Sequence, residues 1–210
     1  MSLPFVALNG ELIGESADHI IEVLREKFAN DTEVNLTAEQ LAVHHSLLRM
    51  VNATLYPSLM RLNFVENKEV MAHLGRTLYE VPLWLANIGL GCYKCHLMEK
   101  QKEGVGKLSD EQFQREFIRD LQCIEGILAS GEKEFLFGSQ PTIADCAVYP
   151  QLALMLQLQG HTKNTAPLGY IRNSTILQGY IKRCEASLFP DLAELAPTNL
   201  GDQAFNMELP

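Results

Sequence analysis

The chain has 210 residues, 47% of them apolar and 20% charged, which fits one medium or two small globular domains with a sizeable core. A formal net charge of −9 argues against a nucleic-acid partner, because no basic stripe is available to displace counterions from phosphates. The longest apolar stretch, Val81 to Leu90, falls short of the roughly 20 residues a bilayer span needs and no signal-peptide pattern opens the chain, so no membrane span and no secretion are expected.

Five cysteines, an odd number in a chain of this length, fit free thiols in a reducing compartment, and the expected location is cytoplasmic. In chain order, Phe5 to Leu8 and Glu11 to Ile13 are short apolar runs either side of Asn9-Gly10, the strongest two-residue hairpin signal. Ser16 can cap the helix that follows, whose apolar face is Ile20, Ile21, Leu24 and Phe28. After a polar linker, Thr37 and Gln40 have capping-box spacing ahead of one long amphipathic helix carrying Leu41, Leu48, Val51, Leu55, Leu59 and Leu62, with a bend expected at Pro57. A further helix carries Val70, Leu74, Leu78 and Val81, and Pro82 starts or kinks the next, which runs to about Lys100.

Ser109 and Gln112 repeat the capping-box spacing before Phe113, Phe117, Leu121, Ile124 and Leu128, and Gly131 ends that helix. Thr142 and Asp145 are expected to cap the next helix reciprocally, the carboxylate reaching back to the cap N–H while the Thr142 hydroxyl accepts from the N–H of Asp145. That helix is apolar almost all round through Leu158, as a core helix is. A last helix runs from about Ser174 to Ser187. The expected division is an opening segment over residues 1–30, a helical domain over 36–190 and a tail over 196–210 with too few apolar residues to order itself undocked.

An all-helical domain after a strand, turn, strand and helix resembles the cytosolic glutathione transferase family. Two stretches carry the resemblance: Leu3-Pro4-Phe5-Val6 through Gly10 to Glu15-Ser16 and Ile20-Ile21, and Phe137-Gly138-Ser139-Gln140-Pro141-Thr142-Ile143-Ala144-Asp145. With residues 36–59, LTAEQLAVHHSLLRMVNATLYPSL, the chain is most similar to the failed-axon-connection and metaxin-like branch. The resemblance implies a mainly α fold, an all-helical transferase C-terminal domain preceded by a partial thioredoxin-like hairpin and helix. It also implies that the first half of the thioredoxin-like domain, with the thiol-activating residue, has no counterpart here.

From the same resemblance, glutathione is the expected substrate-cofactor, held by Leu3, Pro4, Glu15 and Ser16, and the parent activity joins its thiol to an electrophile. The physics is compatible. A helix N-terminus with the Ser16 hydroxyl suits a carboxylate, Glu15 suits an ammonium, and a γ-glutamyl group carries both at one end. Read without the family, Ser16 is an N-cap and Glu15 a surface carboxylate. With no activating group in sight, the chain as it stands is expected not to conjugate glutathione appreciably, and a non-catalytic interaction scaffold is the alternative. An open hairpin edge favours self-association, so a homo-oligomer is expected.

Cys92-Tyr93-Lys94-Cys95-His96 matches C-x-x-C-H, but haem attachment requires export. On a helix Cys92, Cys95 and His96 share a face without a clear fourth ligand, so no metal is expected and the thiols read as buried or half-buried packing groups. His44 and His45 point different ways and read as solvent-facing or rim positions. Arg49, Tyr56 and Arg61 lie on the helix that in the family lines the second-substrate cleft, as residues of any long helix could.

Overall fold

The computed structural model describes residues 5–14, 16–28, 36–65, 91–92, 95–96, 99, 104–131, 133–157 and 165–191. The chain divides into two compact units, Met1–Thr37 and Ala38–Pro210. Both agree with a mainly α fold in which a hairpin and helix precede an all-helical domain. The linker from Asn30 and the helices expected between Val70 and Pro82 fall wholly or mainly outside the described residues, as does the tail.

In the first unit, β1 (Phe5–Leu8) pairs antiparallel with β2 (Glu11–Gly14). Asn9 and Gly10 both have positive φ, 52° and 85°, which is why this dipeptide closes a two-residue turn whose twist matches the strands. The register pairs Val6 with Ile13 and Ala7 with Leu12, so Val6, Leu8 and Ile13 share one face and Phe5, Ala7 and Leu12 the other. The helix α1 (Ala17–Phe28) packs on the hairpin, burying Ile13 and Ile20. Phe28, expected on its apolar face, is 61% exposed. Phe5 and Leu12 remain about half exposed, at 47% and 48%.

The second unit opens with one continuous helical stretch. The helix α2 (Ala38–Met50) passes through a π-helical turn, Val51–Leu55, into α3 (Tyr56–Met60) and a second π turn, Arg61–Val65. Pro57 is the physical reason. Its ring crowds the carbonyl four residues back, and widening that turn, with Tyr56 N–H donating to Val51 O, moves the carbonyl aside without breaking the helix. Leu47, Val51, Leu55, Leu59 and Leu62 face the core. Leu41, expected on that face, is exposed, as it lies at the solvent-facing start of α2.

The remaining described elements of the unit are a 3-10 turn at Val105–Lys107, α4 (Asp110–Ala129), α5 (Ile143–Gln157), α6 (Ala166–Asn173) and α7 (Thr175–Leu188). The expected capping box opens α4: Ser109 Oγ accepts from Gln112 N–H, and Gln112 Oε1 accepts from Ser109 N–H. Gly131, at φ 99°, sits where the chain turns out of α4. The core is built where α4 meets α6 and α7, and where α5 meets α2, α6 and α7. Phe113, Phe117, Leu121 and Ile124 of α4 meet Leu168 and Ile171 of α6 and Leu177 and Tyr180 of α7, all essentially fully buried. Each such side chain contributes about 1.5–3 kcal/mol of burial. No described helix is long and apolar enough to cross a membrane.

Candidate functional site

Of the four residues expected to hold glutathione, Leu3, Pro4 and Glu15 lie outside the described residues, and Ser16 lies within them. Ser16 is exposed immediately before α1, and its Oγ accepts from His19 N–H at 3.2 Å while its carbonyl accepts from Ile20 N–H at 3.1 Å. That is N-cap geometry: it satisfies one of the helix's orphan donors and leaves the hydroxyl proton free to donate to an incoming acceptor. In the described part of the first unit two side chains bear a hydroxyl, Ser16 before α1 and Thr37, exposed before α2, and none bears a thiol. Lys27 Nζ lies 3.3 Å from Glu11 Oε2 and ties the last turn of α1 to β2 through an exposed ion pair.

The strongest polar constellation is in the second unit. The Asp145 carboxylate, fully buried, accepts four hydrogen bonds: at Oδ1 from Leu136 N–H and the Tyr180 hydroxyl, both 3.0 Å, and at Oδ2 from Thr142 N–H at 2.8 Å and the Thr142 hydroxyl at 2.9 Å. The carboxylate thus reaches back to the cap N–H. The expected reverse bond is replaced: Asp145 N–H donates to the Thr142 carbonyl at 3.0 Å, because the threonine hydroxyl is turned to the carboxylate, which is the stronger acceptor. Burial first, and then the Asp145 carboxylate, push the Tyr180 phenol far up, so it stays a donor. The loop Phe135–Gly138, closed by a bridge between its ends, is fastened to the start of α5 by Leu136 N–H.

Two further contacts fix the long helix. The Arg61 guanidinium donates to Val105 O at 2.7 Å, Leu108 O at 2.9 Å and Asp110 Oδ1 at 2.7 Å, and lies 4.4 Å from the Phe113 ring centroid. It is a clamp on the 105–110 loop, whereas Arg49 and Tyr56 are exposed. In the first π turn the Thr54 hydroxyl lies 2.9 Å from Met50 O and 2.5 Å from Asp120 Oδ2 of α4. Burial, and secondarily Glu116, hold the Asp120 carboxyl above the usual carboxylate range despite the opposing Thr54 hydrogen bond. Glu125 of α4 accepts from the Tyr170 and Ser174 hydroxyls and so joins α4 to the α6–α7 corner; that bond first, with burial, pushes the Tyr170 phenol up to about 12.

Two residue expectations are overturned. His44 is buried at 4% exposure, its ring tilted against Phe137 at 5.4 Å, because position 44 shares a helical face with Leu47 and Val51; His45 is exposed. Cys92, Cys95, Cys123 and Cys146 are exposed and only Cys184 is buried, so the C-x-x-C thiols are not packing groups among the described residues. Gly91, Cys92, Cys95, His96 and Glu99 are helical, and all five are exposed. Among the described residues no group of three or more His, Cys, Asp or Glu side chains is arranged to hold a metal ion.

A glutathione S-transferase N-terminal domain model matches residues 1–69 and a glutathione S-transferase C-terminal domain model matches residues 108–186. Among curated proteins the chain is 29% identical to Failed axon connections of Drosophila melanogaster, over 92% of this chain and 48% of that protein. The chain therefore spans about half the length of that relative. Among solved structures it is similar to maleyl pyruvate isomerase, a bacterial Zeta-class glutathione S-transferase (15% identity, TM-score 0.47, 88% of this chain and 69% of that one). A glutathione S-transferase from Legionella pneumophila is also similar (16% identity, TM-score 0.47, 93% and 81%). With the family's N-terminal and C-terminal domains both matched in chain order, and a hairpin-helix unit ahead of an all-helical unit, this chain is a member of the glutathione S-transferase-like family.

Proposed function

We propose that the protein's parent reaction is conjugation of glutathione to an electrophile, and that this chain supplies recognition of glutathione without activating its thiol. Ser16 carries the reading. Its hydroxyl stands at the amino end of α1, where backbone N–H groups and the helix dipole favour a carboxylate, and its proton is free to donate. The γ-glutamyl carboxylate of glutathione is the group of matching charge, with Glu15, Leu3 and Pro4 proposed to complete the corner.

In the parent reaction the glutathione sulfur bonds to the electrophilic carbon, the leaving group departs with the electron pair of its broken bond, and the thiol proton goes to solvent. A thiolate is needed, and lowering a thiol's pKa takes a neighbouring donor or positive charge. Of the two described hydroxyls of the first unit, Ser16 is given to recognition and Thr37 stands directly ahead of α2, beyond the hairpin and α1, so activation is assigned outside the described residues. A non-catalytic scaffold is the second reading, favoured by that same lack among the described residues. The half-exposed Phe5 and Leu12 on the outer hairpin face support self-association of the first unit.

Calorimetric titration tests the proposal. Glutathione is expected to bind more weakly than micromolar, Ser16→Ala to abolish the heat, and a thiol lacking the γ-glutamyl group to give none. No heat from glutathione with the wild-type chain contradicts the proposal and leaves the scaffold reading.

A further inference from the structure

The C-x-x-C-H stretch has no part in the proposed glutathione corner, and both of its thiols are on the surface. Cys92 and Cys95 are both helical and both exposed, three residues apart, with His96 one turn beyond Cys92. Three-residue spacing on a helix puts two side chains on one face with their Cβ atoms about 5–6 Å apart. A disulfide needs a Cβ separation of about 3.5–4.5 Å, so closing one here would distort the helix. A single bridging atom has no such difficulty: two sulfur bonds of about 2.3 Å each, the length of a zinc–thiolate bond, span the gap with the side chains in ordinary rotamers.

We infer that Cys92 and Cys95 form an open two-thiol site that captures one soft, thiophilic centre of the trivalent-arsenic or monovalent-copper type. This is not the closed ligand set of a resident zinc, which takes four ligands, and no described group of three or more donors is arranged for a metal. Thiolates select soft centres over hard ones. With an arsenoxide the step balances without any oxidant: two S–As bonds form, the As–O bonds break, and the two thiol protons leave with the oxygen as water. With copper(I) the two thiols lose their protons to solvent as two S–Cu bonds form.

The other thiols do not offer the same geometry. Cys123 and Cys146 are exposed but stand on different helices, α4 and α5, each with no second cysteine within four residues. Cys184 is fully buried, and burial first pushes its thiol up to about 11.

The test titrates the reduced full chain with phenylarsine oxide, and separately with copper(I), while counting free thiols. One equivalent of either probe should remove two thiols, released by a small dithiol and not by a monothiol. Cys92→Ser or Cys95→Ser should weaken capture at least about 100-fold, the order expected when a second tethered contact is lost, while Cys123→Ser changes nothing. Both sites are exposed, so the serine variants should fold, and peptide mapping of the wild-type adduct gives an independent reading. Capture of the arsenical alone, or of copper(I) alone, assigns the type of ligand. Capture of neither, an adduct mapping elsewhere, affinity unchanged by both serine variants, or a Cys92–Cys95 disulfide forming in place of the adduct overturns the inference.

Discussion

Tyr180 of α7 donates its phenolic hydrogen to Oδ1 of Asp145 in α5, 3.0 Å away, at a point where both side chains are fully buried. One carboxylate thereby ties three pieces of chain: the loop at Leu136, the start of α5 at Thr142, and the middle of α7. Removing it would strand two backbone N–H groups and two hydroxyls in a dry interior. At about 1–3 kcal/mol for each unpaired group, partly relieved by relaxation, Asp145→Ala is expected to cost about 3–5 kcal/mol. Tyr180→Phe should cost about 1.5–3 kcal/mol, since it loses one bond to a charged acceptor. Urea melts check both, and an Asp145→Ala midpoint equal to wild type would show that the hub does not hold the unit together.

Arg61 separates an exposed ion pair from buried carbonyl bonds. Its guanidinium is nearly covered while the Asp110 side chain is 84% exposed, so the pair with Asp110 lies at the solvent boundary. Asp110→Asn is expected to cost less than about 1 kcal/mol. Arg61→Ala removes the donors to Val105 O and Leu108 O and the cover over Phe113, and should cost about 2–4 kcal/mol. Arg61→Lys should fall between, because an ammonium cannot hold the fork. Denaturant melts showing Asp110→Asn as harmful as Arg61→Ala would reverse the assignment.

Asp120 makes stability depend on pH. Its folded pKa is raised, burial being the largest cause, so the folded chain binds this proton more tightly than the unfolded one. The stabilisation from that proton is fully present below the unfolded value, about pH 4, and is lost as pH rises through the folded value. Neutral Asp120 can donate to Thr54 while the Thr54 hydroxyl donates to Met50 O, satisfying both oxygens at once. Asp120→Asn should therefore be more stable than wild type at pH 7, with the advantage shrinking towards pH 4. Melts at the two pH values check this, and a variant less stable than wild type at pH 7 contradicts it.

The legible parts of the fold were those governed by short-range rules. Asn9-Gly10 demanded positive φ and formed the turn; Ser109 and Gln112 formed their box; Pro57 declared strain in the long helix, though its relief by π turns rather than a simple bend depends on three-dimensional packing. The helix α6 escaped notice because Ala-Pro-Leu-Gly-Tyr-Ile-Arg-Asn mixes proline and glycine in eight residues, although Pro167 in the first turn is itself a start signal. Thr142 and Asp145 were visible as a cap, whereas Leu136 and Tyr180, nine and thirty-five residues from Asp145, meet it only through tertiary packing. His44 shows the same limit: beside His45 it reads as surface, and only the helix's orientation puts it against Phe137. Of the residues proposed to bind glutathione only Ser16 is described, and its N-cap role is legible from its place just before the apolar-faced helix α1.

The central claim, recognition of glutathione without activation of its thiol, is tested most directly by the rate at which the purified chain conjugates glutathione to a generic aryl halide, set against buffer and against Ser16→Ala. The account predicts a rate equal to the uncatalysed reaction for both proteins. A wild-type rate above background that Ser16→Ala abolishes would contradict it and show that the thiol is activated within this chain.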